Sequence, residues 1–205
     1  NQNSDPQDGT LAGLWRCDGV VGSDPALSMI GGWFINFYGK NQFDNYQYPK
    51  GCTPEQANSF YQQTFDPEDP SGTYVADGDR VIINYTEAMY VTAGTFNEAQ
   101  QTYEYEYEVS EPQQDFYHYE FKDGKLHWSQ TLQDIKDGQA STIAAFQEAV
   151  DNTSGKERVA FQEELAKTKK LYEEAISNYN KYLLDNSISS EVAEKIKGRW
   201  FVKAK

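Results

Sequence analysis

The chain has 205 residues, enough for one large domain with a full core or for a domain with an appendage. Only 38% are hydrophobic, mean hydropathy is −0.80, and no apolar run approaches membrane-span length, which excludes a transmembrane helix. The formal charge of −14 is uneven: residues 1–138 hold 7 Lys and Arg against 22 Asp and Glu, residues 139–205 hold 11 against 10. A negative field of that size repels phosphate backbones and argues against nucleic acid as a partner.

Residues 1–10 are polar and turn-rich and read as a flexible leader. Residues 11–21 read as a first strand with Leu11, Gly13, Trp15 and Cys17 on one face. Residues 22–32 are punctuated by glycine, proline and serine, the mark of a loop or a short turn of helix. Residues 33–38 and 42–48 form a hairpin around Gly39-Lys40-Asn41. Thr53 followed by Pro54, Glu55 and Gln56 starts a short helix over residues 54–63, because threonine caps and proline suits the first helical position. Residues 72–76 and 80–86 flank Asp77-Gly78-Asp79, a second hairpin; a two-residue Asp77-Gly78 loop would set Tyr74 opposite Val81.

Residues 88–100 are a strand or crossing bent at Gly94. Tyr103, Tyr105 and Tyr107 then alternate with Glu104, Glu106 and Glu108, the period of a strand with one covered and one wet face. Two further strand runs meet at Asp123-Gly124, the strongest short-range hairpin signal. In a two-residue register Phe121 opposes Leu126, Glu120 opposes His127, Tyr119 opposes Trp128 and His118 opposes Ser129. Tyr117, Tyr119, Phe121, Leu126 and Trp128 then share the inner face, and His118, Glu120 and His127 share the outer one.

The period changes near residue 139. Residues 141–150 are helical, and residues 156–184 form a long amphipathic helix with Phe161, Leu165, Tyr172, Ile176, Tyr179 and Leu183 on one stripe. Ser189 or Ser190 caps a last helix over residues 191–197, stopped by Gly198, and residues 199–205 are strand-like. About eight short, turn-punctuated strands followed by helices give a mainly β fold. The expected architecture is an antiparallel β-barrel over residues 11–138 with an α-helical extension over residues 139–205, ending in a short strand.

Gly13-Leu14-Trp15 in a first strand resembles the Gly-x-Trp opening of the lipocalins. Gly72-Thr73-Tyr74-Val75 with Gly78-Asp79 resembles a hairpin of bacterial lipocalin-like (calycin) secreted proteins. The resemblance implies an eight-stranded calyx with a helix packed outside it, an open end that takes a small, usually apolar ligand, and export as a secreted, periplasmic or lipid-anchored protein. The family's Thr-Asp-Tyr segment is missing, the helical part is longer than one helix, and Arg199 is the candidate to stack on Trp15 as the family's arginine does.

Tyr103, Tyr105, Tyr107, Tyr117, Tyr119 and Trp128 are the candidate ligand-binding residues, since rings supply an apolar wall and hydroxyls a few orienting hydrogen bonds. The competing reading has the same rings fill a small barrel, whose width suits side chains alone. In that case the protein is a non-enzymatic envelope interaction protein, docking a partner through its acidic face or its C-terminal helices. Glu120 with His127 and His118 could serve acid–base chemistry, but parity puts them outside the barrel, where an exposed charge pair is the simpler account. No Gly-x-Ser-x-Gly, phosphate-binding glycine loop, His-Glu-x-x-His or Cys-x-x-Cys is present, so neither an enzyme nor a cofactor or metal is expected. Cys17 and Cys52 either form one disulfide or stay as two thiols. An aromatic content of 15% suits an extracellular β-protein.

Overall fold

The computed structural model describes residues 10–19, 30–85, 88–91, 94–105, 108–111 and 114–204, with the backbone alone for 88–91, 94–97, 102–105 and 108–111. Most of the expected leader over 1–10, most of the stretch over 22–32, and Tyr107 lie outside these residues.

Eight antiparallel strands close into a barrel: β1 (Gly13–Asp18), β2 (Ile30–Tyr38), β3 (Gln42–Pro49), β4 (Gly72–Asp77), β5 (Arg80–Tyr85), β10 (Gln114–Lys122), β11 (Lys125–Ser129) and β12 (Arg199–Lys203). Each pairs with its neighbours in chain order and β12 returns to β1, so the barrel is an up-and-down meander without free edges. The missing numbers belong to an insertion between β5 and β10. There β6 (Ala88–Val91) pairs with β9 (Glu108–Glu111), and β7 (Gly94–Asn97) pairs with β8 (Thr102–Tyr105), as two separate two-stranded sheets.

Tight loops sit at one end. β2 and β3 turn at Gly39 (φ 58°), and β10 and β11 turn at Asp123 (φ 53°) and Gly124 (φ 71°), the two positive values that a type I′ turn demands. The β10–β11 register has Phe121 on Leu126, Glu120 on His127, Tyr119 on Trp128 and His118 on Ser129, as the Asp-Gly signal implies. The β4–β5 hairpin differs: Asp77 pairs with Arg80 and Tyr74 with Ile83, so the loop is Gly78-Asp79. Glycine takes the first loop position at φ 65°, which relieves Asp79 of any left-handed conformation.

All long connections leave from the other end. Helix α1 (Pro54–Thr64) lies between β3 and β4, its Thr53 cap closed by a reciprocal box with Gln56. It packs on the outer wall, where Ala57 and Tyr61 meet Phe34 and Tyr48. Helices α2 (Leu132–Asn152), α3 (Gly155–Asp185) and α4 (Ser190–Lys197) all lie between β11 and β12. Helix α2 starts nine residues before the amphipathic run over 141–150, because Thr131 and Asp134 form a second capping box directly after β11. The last strand, on the far side of the helices, completes the barrel wall between β11 and β1.

Phe161 and Leu165 of α3 are buried against Phe146 and Val150 of α2. The stripe expected to stay open for a partner is therefore occupied along its first half by the chain's own helix. Along the second half Tyr172, Ile176, Tyr179 and Leu183 are half-buried, and the exposed Leu171 and Leu184 lie off the stripe. Cys17 is buried in the barrel interior and Cys52 packs with the outer cluster under α1; both are free thiols on opposite sides of the wall. Among the described residues no helix is long and apolar enough to cross a membrane.

Candidate functional site

Period two along the strands turns Trp15, Cys17, Ile35, Phe37, Phe43, Val81, Ile83, Leu126, Trp128 and Phe201 into one interior core. The core is dense toward the tight-loop end. Trp15 is 4% exposed there and donates from Nε1 to the Leu11 carbonyl at 2.9 Å. Lys203 lies over its ring, 4.1 Å from the centroid, and spends a proton on the Ala12 carbonyl at 2.6 Å. The cation over Trp15 is thus Lys203. Arg199, expected at that place, lies over Trp33 instead, 4.1 Å from its centroid. The two cations are four residues apart on β12, and an inward-facing strand side chain recurs every two residues, so they share the interior face at opposite ends.

Around Arg199 the core opens into a cavity of about 400 Å³. Its floor and walls are Trp33, Phe43, Tyr85, Tyr117, Trp128 and Phe201, and its rim takes Ile135 from α2, Tyr179 from α3, and Glu194 and Lys197 from α4. Tyr117 and Trp128 stack at 4.6 Å between centroids, tilted by 29°, and so present a continuous aromatic slab. A polar corner adjoins it: the Tyr117 hydroxyl donates to Asp115 Oδ2 at 3.3 Å. Burial raises the Asp115 carboxyl above its ordinary value, and burial with the Asp115 charge beside it pushes Tyr85 up to about 12. Tyr117 is raised further, first by burial and then by Tyr85 and Asp115 beside it. At neutral pH the phenols therefore stay protonated and act as donors.

The six candidate residues separate. Tyr117 and Trp128 meet in the cavity wall. Tyr119 points the other way: its hydroxyl donates to the Gly78 carbonyl at 2.8 Å and its ring packs on Phe121. Tyr103 and Tyr105 lie on β8, which pairs with β7 rather than with a barrel strand, and only their backbone is described. Trp33, Phe43, Phe201, Lys197 and Arg199 emerge only from the fold. The alternation Arg199, Phe201, Lys203 was the available signal for the last strand, but it is too short to announce a barrel member.

The outer face of β10 and β11 is covered in part: Glu120 is exposed, while His118 and His127 meet the helices. His118 Nδ1 is 2.5 Å from Asp134 Oδ2, and Arg80 Nε donates to Asp134 Oδ1 at 2.9 Å while its other arm pairs with Asp137. Asp134 is fully buried and also accepts from its own cap's backbone at Thr131. This network fastens the start of α2, and with it Ile135, to the barrel. His127 is 6% exposed beneath α4 and packs on Trp200 at 4.5 Å. A Cβ at Gly198 would lie 2.2 Å from His127 Nε2, so only glycine lets α4 end against this ring. The exposed Glu120–His127 charge pair anticipated from parity is therefore a buried imidazole whose Nδ1 is 3.9 Å from Glu120.

Compared with models of protein families, with curated proteins and with solved structures, the chain matches none of them, and its function rests on this geometry.

Proposed function

We propose that the protein is a non-enzymatic, lipocalin-like binding protein that holds a small, apolar or aromatic ligand in the cavity at the open end of its barrel. The observation that carries this is the cavity itself. At about 400 Å³ it falls within the roughly 300–1,000 Å³ of small-molecule pockets, and it is walled by rings with a few convergent polar groups. A filled barrel would have no such space beside Trp128. The meander order, the short loops at one end and the cation over Trp15 fit the lipocalin plan, while helices placed before the eighth strand depart from it. Carriers of this kind work outside the cytoplasm, so we place the protein as secreted, periplasmic or lipid-anchored.

Isothermal titration of the full chain with 2-naphthamide, a neutral aromatic probe, tests the reading. One probe per chain is expected, and Trp128→Ala or Tyr117→Ala should weaken binding about three- to tenfold through loss of ring contact. Absence of saturable binding up to the probe's solubility limit, or affinities indifferent to both substitutions, would refute the site.

A further inference from the structure

We infer that the ligand is an anion, a hydrophobic carboxylate whose charged head is held by Arg199 and whose body lies on the Trp33, Tyr117 and Trp128 rings; this rests on the cavity reading above. The chain carries a formal charge of −14, yet its cavity is lined by two cations, Lys197 and Arg199, and one carboxylate, Glu194. That carboxylate is engaged, since Glu194 Oε1 accepts from the Leu132 backbone at 3.2 Å where α2 begins. Asp115, the nearby acid in the aromatic wall, accepts from Tyr117 and is not part of the cavity lining.

Arg199 is held in place without being neutralised. Its guanidinium rests on the Trp33 face, and among the described residues it makes no hydrogen bond and no ion pair. Its planar fork of five N–H donors is left facing a cavity walled mainly by rings, with Asn45, Ser129 and Gln130 as its neutral polar neighbours. Lys197 is braced in the same way, its ammonium 4.4 Å and 4.7 Å from the Tyr182 and Tyr179 ring centroids, with no carboxylate partner among the described residues. Lys197 also sits in the last turn of α4, where a cation complements the helix dipole, so its placement alone would not require a ligand. Arg199 has no such duty. Arg199 is half-buried among rings, and a carboxylate is the acceptor whose two oxygens match its fork bidentately. The rings beyond it fit the rest of an amphiphilic acid better than they fit a small inorganic anion.

The test compares 2-naphthoate with 2-naphthamide, equal in shape and different in charge, on the full chain at low and high salt. The naphthoate should bind about ten- to a hundredfold more tightly, as a charge-assisted bidentate pair implies, and its advantage should shrink as salt rises. In Arg199→Gln the preference should collapse toward unity, and in Arg199→Lys part of it should return. The naphthamide affinity of each variant, read beside its unfolding midpoint, reports whether the cavity is intact. Equal binding of both probes by the unaltered chain, or a preference that survives in Arg199→Gln, overturns the anionic ligand while leaving the cavity reading in place. Failure of both probes overturns both.

Discussion

The two ends of the barrel hold the same kind of pair, a cation laid over a tryptophan at 4.1 Å, and use it in opposite ways. At the tight-loop end Trp15 and Lys203 spend their donors on the carbonyls of Leu11 and Ala12, and Phe121 packs 5.8 Å from the indole. The result is a plug. At the long-loop end Trp33 and Arg199 form the same contact beside an open cavity, and Arg199 keeps its donors. Stacking a cation on a ring thus does not by itself mark a site. What distinguishes the site is whether the polar atoms of the pair have been satisfied by the fold.

That contrast is open to direct measurement. Trp15→Ala should cost about 3–5 kcal/mol in urea unfolding, as loss of a buried large aromatic does, while Trp33→Ala, beside empty space, should cost about 1–2 kcal/mol. Equal costs would mean the mouth is packed as tightly as the plug and would end the comparison. A second, intermediate effect concerns what each end depends on. The mouth borrows Ile135 from α2, which Asp134 pins to Arg80 and His118. Asp134→Ala should destabilise the chain by about 2–3 kcal/mol, since it opens the Thr131 capping box and removes the buried acceptor of Arg80 and His118, and should weaken probe binding in whatever protein remains folded. Unaltered probe affinity would show that α2 is not needed to shape the cavity.

The smallest expected effect is one of pH. Burial under α4 holds the His127 imidazole below its ordinary value of 6.5, only partly offset by the Glu120 charge. The unfolded chain takes up the proton first, so this contribution to stability is complete above pH 6.5 and is lost as pH falls through the lower folded value. Asp137, held low by Arg80, adds its own loss only below its ordinary 3.8, which keeps the two windows apart. Thermal midpoints recorded between pH 7 and 5 should decline, and His127→Gln should flatten that decline. An unchanged slope in the variant would assign it to other groups.

Much of this molecule is written in local residues. Asp123-Gly124 sets a register through backbone handedness, Thr53 and Ser189 place helix starts through side-chain caps, and period two in β10 and β11 sorts Tyr117 and Trp128 inward from His118 and His127 outward. Such signals act over a few residues, so the sequence carries them without help from the fold. The closed eight-stranded barrel with appended helices was legible from their sum. Other features depend on elements far apart in the chain. Only closure of the sheet brings the five residues Arg199–Lys203 between β1 and β11, and so sets Arg199 on Trp33 and Lys203 on Trp15. Only packing of the helices buries His127 on a strand face whose alternation reads as wet, and buries Asp134 of α2 against that face. And Tyr103 and Tyr105, in the most regular alternation of the sequence, pair through β8 with β7 and outside the barrel sheet, because alternation specifies a strand but not its partner. Composition and period determine which side chains share a face; the tertiary structure alone decides what that face meets.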